Sequence, residues 1–252
     1  FSRFLSNLVI LKGAKVHLYP LKMQKPANLQ TGDKVAIIST ARKISREELQ
    51  PAMDILNSWG LEVVLGEHLF GEYHQLSGTA HERRADLQWA LDSSDIEAVI
   101  CARGGYGSVQ LVDGIDFSAF QNNPKWLVGY SDVTVLHNHI NQNFNLQTLH
   151  ATMPLNFGSN TPEALNSLRD ALFGNTIQYS CNAHELNRKG EGQGVLVGGN
   201  LSIIYSLTGT ASQVDTSGKI LFLEDLDEYL YHVDRMMTVS YTHLRAHETE
   251  AY

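Results

Sequence analysis

Two glycine-bearing turns hold the residues best suited to chemistry. In Leu127-Val128-Gly129-Tyr130-Ser131-Asp132-Val133-Thr134 a short apolar run ends at a glycine two residues before a serine, and a helical pattern starts at once. That is the layout of a nucleophile elbow, a strand-to-helix turn that holds a hydroxyl clear of a sheet. The free N–H groups and positive dipole end of the following helix would steady an oxyanion, and removing one such donor typically costs about 3 to 4 kcal/mol of barrier. Val133 replaces the closing glycine of G-x-S-x-G, so Ser131 or Asp132 acting only as a helix N-cap stays open as an alternative. The second turn, Ala102-Arg103-Gly104-Gly105-Tyr106-Gly107, has three glycines in four positions. Such a loop lets backbone N–H groups approach a ligand closely. A tight turn without a ligand is the plainer alternative. A phosphate or dinucleotide loop is disfavoured, because G-G-x-G lacks the G-x-G-x-x-G spacing and no P-loop lysine follows.

A serine nucleophile needs a base and an acid to orient that base. The acids Glu224, Asp225, Asp227 and Glu228 follow the apolar run Ile220 to Leu223, where a solvated loop is the competing reading. Between residues 23 and 239 the histidines are His68, His74, His81, His137, His139, His150, His184 and His232. Among these, position alone favours His150, near the end of the run QTLHA, with a structural or surface histidine as the competing reading. His137 and His139 face opposite sides of one predicted helix and cannot act together. His243 and His247 share a helix face, but Glu248 is misplaced for H-E-x-x-H, so no metal site is expected there.

The frame that must hold these turns alternates apolar runs with helical periods. Lys34 to Ser39, Leu61 to Leu65, Ile96 to Ala102 and Trp126 to Tyr130 read as strands. Helices are predicted over Ser45 to Ser58, from the capping box Thr79-x-x-Glu82 to about Asp92, and from Asp132 to about Asn143. Pro51 is expected to kink the first of them. Strands separated by helices predict an α/β fold with a doubly wound, mostly parallel sheet over residues 23–152. Residues 153–190, with a helix from Glu163 to Phe173, read as a connection. Residues 191–239 read as the start of a smaller, β-rich second domain that is incomplete: Val195 to Gly199, a helix Leu201 to Leu207, Ile220 to Leu223 and a helix from Leu230.

Composition bounds the remainder. With 43% hydrophobic and 18% charged residues in 252, the chain is of ordinary globular type, and 19 Lys plus Arg against 27 Asp plus Glu argue against a nucleic-acid binder. Two cysteines, Cys101 and Cys181, exclude a disulfide framework, and Cys101 reads as a buried structural thiol. Residues 1–22 contain no acid and precede the first methionine, Met23; they are expected to be a non-native upstream extension. Residues 240–252 (SYTHLRAHETEAY) are expected to be an adapter-derived tail. The apolar stretch Leu5 to Leu11 is too short for a membrane span. Between the two ends the net charge falls to −11.

Four segments, ICARGGYGS, NPKWLVGYSDVTVLH, GVLVGGNLSIIYSLTGT and KILFLEDLDEYLYHVDRM, in that order and spacing, resemble the LD-carboxypeptidase family. These are serine peptidases that include muramoyltetrapeptide carboxypeptidase and the microcin C immunity proteins. The similarity runs from near Leu29 to about Val239, and SGTAHERRADL resembles the family's segment before the third strand. The resemblance implies that Ser131 is the nucleophile, Glu224 the triad acid, and the N–H groups of Gly105 and Asp132 the oxyanion hole. It places the triad histidine roughly 70 residues beyond Glu224, outside the 252-residue sequence, and withdraws the positional case for His150. The implied reaction releases the terminal D-alanine of a cytoplasmic murein tetrapeptide by cleaving an L,D amide, in cell-wall recycling. No metal or cofactor, no nucleic acid and no membrane is implied, and the full-length protein is expected to form a homodimer. Losing a triad histidine costs on the order of 10⁶ in turnover, so this chain is expected to be close to inert. An immunity-type peptidase acting on a peptide-nucleotide antibiotic, and a non-catalytic muropeptide-binding module, stand as alternatives.

Overall fold

The computed structural model describes residues 23–180, 182–184, 186, 187, 190 and 192–244. The stretch 1–22, Cys181, His247 and Glu248 lie outside these residues, and so do the expectations attached to them.

Five strands, β1 (Lys34–Ile38), β2 (Glu62–Leu65), β3 (Ile96–Cys101), β4 (Trp126–Gly129) and β5 (Leu149–His150), form one sheet in the order β2-β1-β3-β4-β5. Every neighbouring pair is parallel. Because side chains alternate along a strand, each strand feeds two cores. Val35, Ile37, Ala98, Ile100, Trp126 and Val128 pack on α1 (Arg46–Ser58), α5 (Pro154–Phe157) and α6 (Pro162–Phe173). Ala36, Ile38, Val99, Cys101 and Leu127 pack on α2 (Ala80–Asp92), α3 (Ser118–Asn122) and α4 (Thr134–Phe144). This is the doubly wound arrangement that the alternating pattern predicts. Cys101 is fully buried, and burial pushes its thiol pKa up to about 12, as a structural thiol requires.

Capping boxes open α1, from Ser45 to Glu48, and α2, from Thr79 to Glu82. Pro51 does not interrupt α1. The carbonyl it deprives of a donor, that of Glu47, belongs to an exposed residue and can turn to water, while the ring packs where a Cβ on Gly158 would stand at 3.3 Å.

The smaller unit has two parallel strands, β6 (Leu196–Asn200) and β7 (Ile220–Glu224), with α7 (Leu201–Ser206) and α8 (Leu230–Leu244). Its own core is small: Val197, Ile204 and Val214 are buried together. Helix α8 runs past Val239 to Leu244. Among the described residues no helix is long and apolar enough to cross a membrane.

The strand order reverses between β1 and β3. In open parallel sheets ligands bind at such a switch point, beyond the carboxyl ends of the strands. The turns after β1, β3 and β4 all lie at that end.

Candidate active site

The turn after β4 has the strain of a working elbow. Ser131 adopts φ +60°, a left-handed conformation that costs a non-glycine residue about 1 kcal/mol or more. Val133, in place of the closing glycine of the G-x-S-x-G pattern, is fully buried, and a Cβ on Gly129 would lie 2.8 Å from its side chain. The elbow therefore closes on Val133 because Gly129 leaves room for it. Neither Ser131 nor Asp132 caps a helix. A 3₁₀ turn, Ser131–Val133, leads into α4, its flanking residue is Tyr130, that of α4 is Val133, and neither supplies a side-chain cap.

The glycine-rich loop lies directly on this turn. A Cβ on Gly104 would stand 3.2 Å from both Cβ and Oγ of Ser131. Gly105 and Gly107 take φ +120° and +141°, conformations closed to other residues without strain. Asp132 links the two turns, since its carboxylate points inward, is 1% exposed, and accepts the Ser108 N–H at 2.9 Å. Ser108 Oγ donates to Thr40 Oγ1 at 2.8 Å. Arg83, also 1% exposed, donates to the Thr40 carbonyl at 2.6 Å and to Gln110 Oε1 at 2.7 Å, and it fills the space that a Gly107 side chain would need. Burial raises the Asp132 pKa, and the N–H groups of Ser108 and Gly107 together with the Arg83 charge oppose that rise. Burial likewise lowers the Arg83 pKa.

The acid arrives from the smaller unit. In the β6–β7 register Glu224 pairs with Asn200, whose N–H donates to Thr134 Oγ1 at 3.1 Å, in the first turn of α4. Gly199 makes the approach feasible, because a Cβ there would meet Thr134 Oγ1 at 2.6 Å. The Glu224 side chain is 17% exposed, and burial, then the Asp225 charge, pushes its pKa up to about 6. The Asn200 amide and the Ser131 N–H act the other way. The other acids go elsewhere: Asp225 accepts the Ser202 N–H of α7 at 3.0 Å, Glu228 pairs with His232 at 2.9 Å, and Asp227 sits in a left-handed loop position.

Of the histidines, His150 comes to the site, since β5 sets it beside Gly129 and its Nε2 is 3.7 Å from Glu224 Oε1. That exceeds a hydrogen bond. Burial, then the neighbouring His137, pushes the His150 pKa down to about 3, which makes it a poor general base near neutrality. His137 is buried and donates from Nε2 to the Gly129 carbonyl at 2.9 Å. His139 turns away to Ser212 Oγ at 2.9 Å, and His68 pairs with Asp86 at 2.8 Å. No histidine among the described residues hydrogen-bonds Ser131. No group of three or more His, Cys, Asp or Glu among them is disposed to hold a metal ion.

Residues 35–151 match the LD-carboxypeptidase N-terminal domain, and residues 193–246 match the LD-carboxypeptidase C-terminal domain. The chain belongs to the LD-carboxypeptidase family. A Bacillus subtilis relative named "Probable murein peptide carboxypeptidase" is 38% identical over 218 residues, which is 84% of this chain and 68% of the relative. The crystal structure of muramoyltetrapeptide carboxypeptidase from Oxalobacter formigenes superposes with a TM-score of 0.74 at 27% identity, covering 82% of this chain and 70% of that one. An MccF-like protein from Bacillus anthracis superposes with a TM-score of 0.78 at 25% identity, covering 87% and 76%. In this family member the elbow, the glycine loop and Glu224 occupy one location.

Sequence reasoning missed Arg83 and Asn200. Arg83 could have been found, since with Leu87 and Ala90 it keeps the i, i+4, i+7 spacing of the buried face of α2. Asn200 follows two glycines at a strand end and caps α7 through Oδ1, which accepts the Ile203 N–H at 3.1 Å. That cap was legible, but its contact with Thr134 was not.

Proposed function

We propose that this chain carries the nucleophile and the acid of a serine carboxypeptidase that hydrolyses the L,D amide holding the terminal D-alanine of a murein tetrapeptide, in the cytoplasm. The carrying observation is the strained Ser131, in contact with the glycine loop and served by a buried Glu224. Ser131 Oγ attacks the carbonyl carbon, and the N–H groups of Gly105 and Asp132 receive the oxyanion. The amide C–N bond then breaks with a proton passed to the leaving amine of D-alanine, and water hydrolyses the acyl-serine.

The base is assigned to a histidine roughly 70 residues beyond Glu224, as the resemblance implies, because His150 at a pKa of about 3 is mismatched to that work. The 252-residue chain, which carries no such histidine, is therefore expected to bind muropeptide and to turn it over on the order of 10⁶-fold more slowly than a chain that has it. The likeness to an MccF-like protein supports a second reading, an immunity-type peptidase of the same architecture.

D-Alanine release from a murein tetrapeptide, followed for this chain and for a chain extended to include the histidine, tests both parts. Release by the extended chain alone, lost in Ser131→Ala, is the expected result. Serine-dependent release by the 252-residue chain would overturn the assignment of the base. Muropeptide binding with no labelling of Ser131 by a fluorophosphonate in the extended chain would point to a binding module.

A further inference from the structure

A peptidase that removes a terminal residue must recognise the free carboxylate beside the scissile amide, and nothing above supplies that recognition. Building on the carboxypeptidase reading, we propose that Arg42 is the anchor for the substrate's terminal carboxylate. Arg42 follows β1, across the switch point from the glycine loop. Its stem lies on Gly105, where a Cβ would meet Arg42 Cγ and Cδ at 2.7 Å and Nε at 2.9 Å. The preceding residue, Gly104, is the one on which a Cβ would stand 3.2 Å from Ser131 Oγ. The guanidinium therefore rises from the loop one residue away from the nucleophile's contact, on the rim of the proposed oxyanion hole.

The backbone of Arg42 is held in place. Its carbonyl accepts the Ser39 hydroxyl at 2.8 Å, and it forms an antiparallel bridge with Leu76. Its side chain is uncommitted: the residue is exposed, and the guanidinium has no hydrogen bond or ion pair among the described residues. The neighbouring cations are engaged. Lys43 Nζ pairs with Glu72 at 3.0 Å, Arg103 donates to the Lys43 carbonyl at 2.9 Å, and Arg83 is buried beneath the loop. A planar guanidinium matches a carboxylate through two parallel hydrogen bonds, which an ammonium cannot reproduce.

The test uses the 252-residue chain with Ser131→Ala, so that turnover is removed, and calorimetric titration with two probes. One is a murein tetrapeptide ending in D-alanine, the other the same peptide ending in D-alaninamide. The acid is expected to bind about 10- to 100-fold more tightly than the amide. Arg42→Met should erase that preference while leaving affinity for the amide unchanged, and Arg42→Lys should restore part of it. Equal weakening of both peptides by Arg42→Met would mean that the stem only packs the loop, and would overturn the assignment. So would an unchanged preference in Arg42→Met, or binding of both peptides without preference by the parent chain. If the parent chain binds neither peptide, the muropeptide reading falls and takes this assignment with it. A thermal melt of each variant, expected to be unchanged for so exposed a side chain, confirms that the comparison is between folded proteins.

Discussion

Replacing Asp132 by alanine should be far more damaging than its place in a surface turn suggests. The substitution removes the acceptor of the buried Ser108 N–H, a bond of 2.9 Å, and leaves the Arg83 charge, 1% exposed, without its neighbouring carboxylate. A buried N–H left unsatisfied costs about 1 to 3 kcal/mol. The guanidinium keeps its hydrogen bonds to Thr40 and Gln110, so the loss of the more distant carboxylate charge adds only a smaller amount. Part of this is returned, because the carboxylate itself is held at a desolvation cost, visible in its raised pKa. A net loss of about 1 to 3 kcal/mol is expected for Asp132→Ala. Arg83→Met keeps the volume, loses the donors to Thr40 and Gln110, and should cost about 2 to 4 kcal/mol. If the two groups compensate each other's charge, the double variant should fall short of the sum by about 1 to 3 kcal/mol. Urea unfolding of the parent, both single variants and the double variant measures this, with slopes checked for constancy. Additive losses, or a loss under about 1 kcal/mol for Asp132→Ala, would refute the account of Asp132 as the buried link between elbow and glycine loop.

Other expectations follow from the same geometry. His137, with its pKa held down to about 4 by burial, binds its proton first in the unfolded chain, so stability should fall as pH drops from about 6.5 to about 4, by about 3 kcal/mol. Glu224, raised to about 6, has the opposite sign: protonation favours the folded state by about 2 kcal/mol as pH falls from about 6 to about 4.5. Urea midpoints at several pH values should therefore fall more steeply with acid in Glu224→Gln than in the parent and less steeply in His137→Asn, and parallel curves would contradict this. Ser131→Gly should be about 1 kcal/mol more stable than Ser131→Ala, because only glycine takes φ +60° without strain; equal melting temperatures would argue against strain at the elbow. Gly104→Ala should leave the melting temperature nearly unchanged yet slow fluorophosphonate labelling of Ser131, in a chain carrying the histidine, at least about tenfold, since the new methyl stands 3.2 Å from Oγ.

Much of this architecture is local and hence legible. The alternation Val35, Ile37 against Ala36, Ile38 already divides β1 between two cores, and the capping boxes at Ser45 and Thr79 fix where α1 and α2 begin. The spacing of Gly129 and Ser131 reads as an elbow, although the pattern's closing glycine is absent. What escaped was decided across long separations. Whether Asp132 caps a helix or turns inward depends on Ser108, 24 residues away. The docking of Asn200 on Thr134 spans 66 residues, and no periodicity encodes it. The continuity of α1 through Pro51 depends on where one freed carbonyl points, which propensity does not report.

The competing reading of Ser131 and Asp132 as helix caps can be weighed on physical grounds. A capping turn is a relaxed structure: the cap residue takes an extended conformation and its side chain satisfies a helix N–H. Here Ser131 is left-handed, no side chain caps the turn, and the Asp132 carboxylate is buried against a different loop. Glu224 adds an unfavourable feature from β7, a carboxyl oxygen buried without a hydrogen-bond partner. The left-handed Ser131, the uncapped turn and the unpartnered Glu224 oxygen each lower stability, and a fold tolerates such features together only where the surroundings over-determine them. Those surroundings are present: fully buried Val128 and Val133 clamp the elbow, Gly104 covers it, and Gly199 lets the smaller unit press Asn200 onto Thr134. A sequence selected only to begin α4 would have no reason to retain these three costs around one turn when a relaxed serine cap would serve. Their convergence on a single hydroxyl is what chemistry at Ser131 would require.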